Sequence, residues 1–330
     1  MQFRQLGTSD IQVPVVSFGA WAIGGWMWGG TDDNDAIRAL QRGIDLGVTC
    51  IDTAPAYGFG HSERIVGQAI KGRRDQVTVA TKCALRWDCQ DGEFFFESVD
   101  TEGQTRRLYR NLRPESIRYE CEQSMKRLGV DVIDLYQCHW PDTTTPIADT
   151  MGALLELKRE GKIRAIGVSN FTAAMMRECL KSGAIDSDQP KYNALERTVE
   201  REILPFCREN GISLLAYSPI AQGMLTGKIT LDREFPAGDL RRDRPLYARA
   251  NRVKVLAMLD KVKPIAEAHG ATLSQVFIAW LVAQPGVTSA LVGARNERQV
   301  EENAQAGELR LESGEIQGIR NLVEELGALV

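Results

Sequence analysis

The sequence predicts an α/β protein built as a (β/α)8 TIM barrel, with an N-terminal β-hairpin and extra C-terminal helices. Short β-branched, apolar segments alternate with amphipathic helical segments along the 330 residues. Because no break in composition interrupts this alternation, we expect a single barrel domain over residues 1–330. A doubly wound sheet is the alternative, but it usually carries GxGxxG after its first strand, and this chain contains no such motif.

Each predicted strand is a short apolar run that ends in polar residues. The hairpin is predicted at residues 2–16, with its turn at 7–10. The barrel strands are predicted at 15–18, 48–51, 77–80, 132–136, 163–168, 189–192, 213–217 and 289–292.

The predicted helices follow from apolar stripes and capping residues. Asp32 or Asp33 can cap the first helix, which ends at Gly47, and Pro114 opens the third. Two insertions, 86–113 and 221–250, interrupt the rhythm and are predicted to be loops that set specificity. The later helices are predicted at 146–158, 172–181, 200–209, 252–268, 272–283, from 296 onwards, and at 313–328 outside the ring.

Composition excludes several classes of protein. The formal net charge is −4 and both signs are scattered, so we expect neither a nucleic-acid partner nor a membrane. The seven cysteines are odd in number and form no CxxC pair, which argues against a disulfide framework and predicts no metal site. With no signal-peptide pattern at the N-terminus, the cytoplasm is the expected compartment.

Polar residues collect at the carboxyl ends of the predicted strands, where barrel enzymes carry their function. Asp52 follows the second strand, Lys82 the third and His139 the fourth, while Tyr57 lies in the loop after Asp52. Neighbouring strands lie about 4.8 Å apart, so these side chains can converge. Each residue alone has an ordinary structural explanation. Asp52 could form a simple ion pair, Tyr57 could fill space in its loop, and His139 could be a buried packing residue. Their position on consecutive strand ends favours a functional site.

This set of side chains predicts proton transfer to a carbonyl oxygen. An ammonium about 4 Å from a phenolate, at an effective dielectric of about 20, could lower the phenol's pKa of about 10 by up to roughly three units. Asp52 offsets part of this effect but keeps Lys82 charged. A neutral His139 could donate a hydrogen bond to the substrate oxygen and orient it. Tyr57 would then be the acid, and another group must supply a hydride.

Six motifs carry a resemblance to a known family. They are Ile51-Asp52-Thr53-Ala54-Pro55-Ala56-Tyr57-Gly58, Thr81-Lys82, Asp134-Leu135-Tyr136-Gln137-Cys138-His139, Gly167-Val168-Ser169-Asn170-Phe171, Tyr217-Ser218-Pro219-Ile220-Ala221-Gln222-Gly223 and Val292-Gly293-Ala294-Arg295. Through them the chain resembles the aldo-keto reductases over essentially its whole length, most closely bacterial members and the potassium-channel beta subunits. The resemblance implies that Asp52, Tyr57, Lys82 and His139 are the catalytic tetrad, with Tyr57 as proton donor.

The resemblance also implies an extended NADPH/NADP+ cofactor bound without a Rossmann domain. Ser169, Asn170 and Gln189 would hold its carboxamide, and Tyr217 would stack on the nicotinamide ring. The remaining cofactor contacts implied are Trp21, Asp52, Ser218, Pro219, Ile220, Gln222, Gly223, Lys228, Gly293, Arg295, Gln299, Glu302 and Asn303.

Cofactor preference depends on the cations near the adenosine end. Many eukaryotic members carry Lys-Ser where this chain has Gly293-Ala294, and Arg where it has Gln299. We predict that NADPH is still favoured over NADH because Arg295 remains. Arg295 also precedes a capped helix N-terminus, which suits a phosphate, although a solvated surface arginine is the alternative.

An aromatic pocket is predicted for the substrate, which we expect to be a small aldehyde, ketone or sugar. Its predicted lining residues are Trp21, Trp26, Trp28, Tyr57, Trp87, His139 and Trp140. The favoured function is an NAD(P)H-dependent carbonyl reductase. The alternatives are a cofactor-binding regulatory subunit with incidental reductase activity and a barrel enzyme without a redox role. His139 favours the first, because the channel subunits replace that histidine.

Overall fold

A computed structural model describes residues 1–329 of the chain. Its strands in chain order are β1 (Phe3–Gln5), β2 (Gln12–Pro14), β3 (Val16–Gly19), β4 (Cys50–Asp52), β5 (Thr78–Cys83), β6 (Leu85–Arg86), β7 (Glu93–Val99), β8 (Thr105–Arg110), β9 (Ile133–Cys138), β10 (Ile163–Ser169), β11 (Ser187–Gln189), β12 (Ser213–Tyr217) and β13 (Val287–Val292). Its α-helices are α1 (Asp33–Asp45), α2 (His61–Ala69), α3 (Pro114–Leu128), α4 (Ile147–Arg159), α5 (Ala173–Ser182), α6 (Ile203–Glu209), α7 (Arg249–Ala268), α8 (Leu273–Val282), α9 (Glu297–Ala306) and α10 (Ser313–Glu324).

Eight parallel strands close into a barrel in the order β10-β11-β12-β13-β3-β4-β5-β9. The predicted (β/α)8 barrel is therefore confirmed. The hairpin β1–β2 lies at the amino end of the barrel, where Leu6, Ile11 and Val13 form one apolar cluster with inward-facing strand residues such as Leu135. The hairpin closes that end, so the carboxyl end of the barrel is the one available for a site.

Several helices begin where the sequence supplies a capping side chain. Asp32 accepts the backbone N–H of Asp35 at the start of α1, and Thr272 and Gln275 form a reciprocal capping box at α8. Every residue of α8 is buried. Among residues 1–329 no single helix is long and apolar enough to cross a membrane, and α7 and α8 pass that test only as a pair bent by 86°.

Five barrel strands, β3, β4, β5, β9 and β10, end later than the sequence predicts. Strand β4 includes Asp52 and β5 continues to Cys83, so Asp52 and Lys82 lie within the ladder rather than after it. The sixth barrel strand, β11, ends at Gln189, three residues before its predicted end. Pro190 follows, and its lack of an N–H interrupts the ladder, which resumes only as a bridge between Lys191 and Tyr217.

The predicted loop 86–113 is largely a small antiparallel sheet in the order β6-β8-β7. Phe94 pairs with Tyr109 and Phe96 with Leu108, so aromatic and aliphatic side chains hold the two long strands together. The charged residues of this stretch, such as Glu97 opposite Arg107, hide the strand pattern in the sequence. This sheet lies outside the ladder of the barrel.

Candidate active site

Lys82 is the centre of a buried polar cluster at the carboxyl end of the barrel. Its ammonium donates hydrogen bonds to Asp52 Oδ2 at 2.6 Å, to the carbonyl of Thr53 at 2.9 Å and to the Tyr57 hydroxyl at 3.1 Å. The side chain is fully buried, and Asp52 is only 3% exposed. The structure thus brings together the cation, carboxylate and phenol that the sequence places on neighbouring strands.

Two glycines fix the position of Tyr57. Gly58 has φ +69°, and a Cβ there would lie 2.2 Å from the carbonyl oxygen of Gly24. Conversely, a Cβ on Gly24 would lie 2.7 Å from the carbonyl oxygen of Tyr57. The loop after β3 and the loop after β4 therefore touch backbone to backbone, which holds the phenol over Lys82.

His139 completes the predicted tetrad at the end of β9. Its backbone N–H donates to the carbonyl of Cys83 at 2.9 Å, and its ring meets the Tyr57 ring edge to face at 5.5 Å. Burial, assisted by the Lys82 charge, lowers the pKa of His139 well below 6.5. The imidazole is therefore neutral at physiological pH and can serve as a hydrogen-bond donor.

The pKa of Tyr57 corrects one expectation from the sequence. Burial of the hydroxyl, together with the charge of Asp52, raises this pKa well above 10. The predicted lowering by Lys82 is wrong because burial and the neighbouring carboxylate outweigh the ammonium. The phenol therefore keeps its proton in the resting protein, which is the state a proton donor requires.

A network of amides and hydroxyls lies beside the tetrad. Ser169 Oγ donates to the carbonyl of Gln189 at 2.7 Å, and Asn170 Nδ2 donates to the carbonyl of His139 at 3.0 Å. Tyr217 donates its hydroxyl hydrogen to Asn170 Oδ1 at 3.0 Å. Asn170 has φ +61°, a strained conformation of the kind that concentrates at functional sites.

A groove of about 1090 Å³ crosses the carboxyl end of the barrel. Every residue that the resemblance assigns to the cofactor lines it: Trp21, Asp52, Ser169, Asn170, Gln189, Tyr217, Ser218, Pro219, Ile220, Gln222, Gly223, Lys228, Gly293, Arg295, Gln299, Glu302 and Asn303. Of the predicted substrate residues, Trp21, Trp26, Trp28, Tyr57, His139 and Trp140 also line it. Trp87 lies outside the lining that the described chain forms, because its ring packs against Phe59 at 5.4 Å.

The far end of the groove carries cations. The Arg295 guanidinium donates to the carbonyl of Trp28 at 2.7 Å and lies 5.7 Å from the centre of the Trp28 ring. Lys228 Nζ lies 3.5 Å from Glu302. Arg295 is therefore a half-buried, anchored residue rather than a solvated one. The groove has amide side chains and the half-buried Tyr217 ring at one end, and cations at the other. This arrangement fits an extended dinucleotide.

Sequence reasoning missed two kinds of site residue. Phe95 and Phe96 on β7 line the groove beside Trp26, and their sequence signal is the aromatic run within a stretch that otherwise looks polar. Gln137 is fully buried on β9 and contacts Asp52. Its signal is an amide at the carboxyl end of the strand, two residues before His139. The described residues contain no cluster of three or more His, Cys, Asp or Glu side chains suited to a metal ion.

Comparisons with known proteins show which family this chain resembles. Residues 15–324 match the Aldo/keto reductase family. The NADH-specific methylglyoxal reductase of Escherichia coli (strain K12) is 43% identical over 327 residues, which cover 97% of this chain and 98% of that protein. A probable voltage-gated potassium channel subunit beta of Arabidopsis thaliana is 34% identical over 323 residues, which cover 93% of this chain and 91% of that protein.

A solved structure shows the same architecture. The glycerol dehydrogenase AKR11B4 from Gluconobacter oxydans matches with a TM-score of 0.89 and 37% identity, covering 98% of this chain and 96% of that one. These matches extend over nearly the whole length of both chains, which confirms the resemblance that the sequence motifs indicate. The chain therefore belongs to the aldo-keto reductase family.

Proposed function

We propose that this protein is an NAD(P)H-dependent oxidoreductase that reduces the carbonyl group of a small aldehyde, ketone or sugar to an alcohol. The observation that carries the proposal is the buried contact of 3.1 Å between the Lys82 ammonium and the Tyr57 hydroxyl, at the base of a groove suited to a dinucleotide. The partner is a small molecule. All seven cysteines are free, which supports work in the reducing cytoplasm.

The tetrad residues divide the proton chemistry between them. Bound NAD(P)H supplies the hydride for the carbonyl carbon. Tyr57 donates its phenolic proton to the carbonyl oxygen as general acid, and the Lys82 ammonium stabilises the negative charge left on the phenol oxygen. Asp52 holds Lys82 in place through the 2.6 Å ion pair. Neutral His139 orients the carbonyl oxygen by donating a hydrogen bond.

The cofactor would lie along the groove with its nicotinamide end beside the tetrad and its adenosine end at Arg295. Ser169, Asn170 and Gln189 would hold the carboxamide, since their amide and hydroxyl groups gather beside the tetrad. Tyr217 would stack on the nicotinamide, and its hydrogen bond to Asn170 holds the Tyr217 ring in place. Arg295 would bind the phosphate at the adenosine end.

The test of the proposed function is a reduction screen over aldehydes, ketones and sugars, followed as loss of NADPH or NADH absorbance. Turnover of at least one carbonyl class is expected. Tight copurifying NADP(H) with slow turnover of every carbonyl would instead support a regulatory subunit; the Arabidopsis thaliana relative is named a probable voltage-gated potassium channel subunit beta.

We propose that NADPH is preferred and that Arg295 sets the preference. Because one charge-assisted hydrogen bond contributes roughly 1.5–3 kcal/mol, we expect kcat/KM for NADPH to exceed that for NADH by about tenfold or more. Arg295→Met should bring the ratio close to one. The similar Escherichia coli protein is named NADH-specific, and a wild-type preference for NADH would contradict this prediction.

The rate of reduction should depend on the protonation of Lys82. Burial lowers the pKa of Lys82 below 10.5, although Asp52 opposes this effect. We therefore expect kcat to be level through neutral pH and to fall on the alkaline side with an apparent pKa below 10.5. Lys82→Arg should move this fall to higher pH, because a guanidinium keeps its proton. A wild-type profile that stays level beyond pH 10.5 would contradict the assignment.

A further inference from the structure

Gln137 lies between the tetrad carboxylate and the amide proposed to face the nicotinamide. Its Nε2 donates to Asp52 Oδ1 at 3.1 Å, and its Oε1 accepts a hydrogen bond of 3.1 Å from Gln189 Nε2. Gln189 Nε2 also donates to Asp52 Oδ1, at 2.8 Å. These three hydrogen bonds form a closed ring, and the ring uses the carboxylate oxygen that Lys82 does not contact.

The barrel interior is shaped to hold this side chain. Gln137 on β9 is the register partner of Lys82 on one side and of Gly167 on the other. A Cβ at Gly167 would lie 2.7 Å from Gln137 Cγ and 2.5 Å from Ser187 Oγ. The missing side chain at Gly167 therefore provides the space that the Gln137 amide occupies.

A buried carboxylate depends on such donors. Asp52, Gln137 and Gln189 are at most 3% exposed, so water does not replace a lost hydrogen bond at Asp52 Oδ1. An ion pair in this environment is stable only when its remaining lone pairs are also satisfied. Removal of Gln137 would leave Gln189 with an unused N–H and Asp52 with one amide donor instead of two.

We propose that Gln137 is a positioning residue for carbonyl reduction, which holds the Asp52 carboxylate on Lys82 and fixes the amide of Gln189 through this ring of hydrogen bonds. It acts through Asp52 and Gln189, and it is not among the described residues that line the groove. The inference rests on the proposed reductase function. It deepens that function by tying the nicotinamide end of the site to the proton donor.

The first test replaces Gln137 with leucine, which keeps the size and removes the amide. Because hydrogen bonds to charged groups contribute roughly 1.5–3 kcal/mol, we expect kcat to fall by about 10- to 100-fold. The KM for the carbonyl substrate should stay within about threefold, and cofactor affinity, measured by protein fluorescence, should fall by less than about tenfold. Ser187→Ala is the matched control, because Ser187 Oγ lies in the same buried space and has no partner among the described residues. This control should keep the wild-type kcat.

The second test separates positioning from packing. Gln137→Glu keeps the shape, and a protonated glutamic acid can donate to Asp52 and accept from Gln189 as the amide does. Two adjacent carboxyl groups share one proton, which is lost as the pH rises. The ratio of Gln137→Glu kcat to wild-type kcat should therefore be highest at acidic pH and should fall with rising pH, whereas the Gln137→Leu ratio should stay constant.

The outcomes distinguish this inference from the proposed function. If the wild type reduces no carbonyl, the reductase function fails and the role of Gln137 fails with it. If the wild type is active and Gln137→Leu keeps kcat within about threefold, only the role of Gln137 is overturned. Gln137→Glu and Gln137→Leu ratios that are equal and constant across pH would also overturn it, because packing alone would then explain the loss.

Discussion

Tyr57→Phe is expected to lower kcat by about 1,000-fold or more, since a positioned general acid contributes roughly 100- to 10,000-fold and the Lys82 charge acts through the same hydroxyl. The ring itself remains, so its packing against Trp21 at 6.0 Å and His139 at 5.5 Å is preserved. Cofactor affinity should therefore stay within about twofold of the wild type. The measurements are steady-state reduction of the best carbonyl substrate and a fluorescence titration with the cofactor.

Tyr119→Phe is the matched control for this variant. Tyr119 is 43% exposed on α3, and it lies outside the groove lining of the described chain. Its replacement should leave kcat unchanged. Turnover by Tyr57→Phe at more than about a tenth of the wild-type rate would refute Tyr57 as the proton donor.

Glu120→Gln is expected to make the protein less sensitive to alkaline unfolding. Glu120 lies on α3, is 3% exposed and accepts the N–H of Ala84 at 3.1 Å with Oε1. Burial raises the pKa of Glu120 to about 8, although the Arg86 charge opposes this. A glutamine reproduces the protonated side chain without its titration.

The direction in which stability changes with pH follows from proton binding. Between pH 4.5, the ordinary pKa, and about 8, the folded chain holds a proton at Glu120 that the unfolded chain has lost. The free energy of unfolding contributed by this group therefore falls as the pH rises through that window. Between about pH 6.5 and 8, roughly 1.5 pH units, the wild type loses about 1.4 kcal/mol of unfolding free energy per unit. The stability of Glu120→Gln relative to the wild type should therefore rise by about 2 kcal/mol over this range.

Urea unfolding at about pH 6.5 and pH 9 measures this difference. The exposed Glu115 on the same helix provides a control, and Glu115→Gln should follow the pH dependence of the wild type. Parallel stability curves for Glu120→Gln and the wild type would show that Glu120 does not titrate in this range.

The sequence predicts the barrel and most of the groove because both depend on the order of strands and helices. Asp52, Lys82 and His139 fall on adjacent strands, so the closed ladder brings them together once the fold is known. The same logic places Ser169 and Tyr217 on the same end. These residues are found by reading strand ends, without knowledge of packing.

Other features depend on burial, which the sequence does not measure. The direction of the Tyr57 pKa shift reverses because desolvation outweighs the neighbouring ammonium. The sheet β6-β8-β7 is hidden in the sequence because charged side chains flank its aromatic ones. Trp87 resembles the other pocket tryptophans in sequence, yet its ring turns to Phe59. The role of Gln137 can be inferred only from its two hydrogen-bond partners, Asp52 and Gln189, which the closed barrel places beside it.

The sheet β6-β8-β7 supplies Phe95 and Phe96 to the pocket wall but shares no ladder with the barrel strands that carry Asp52 and Lys82. The pocket wall and the proposed tetrad are therefore supported by different strand ladders. Substitutions on that sheet should therefore admit bulkier molecules while the strands that carry Asp52 and Lys82 keep their pairing.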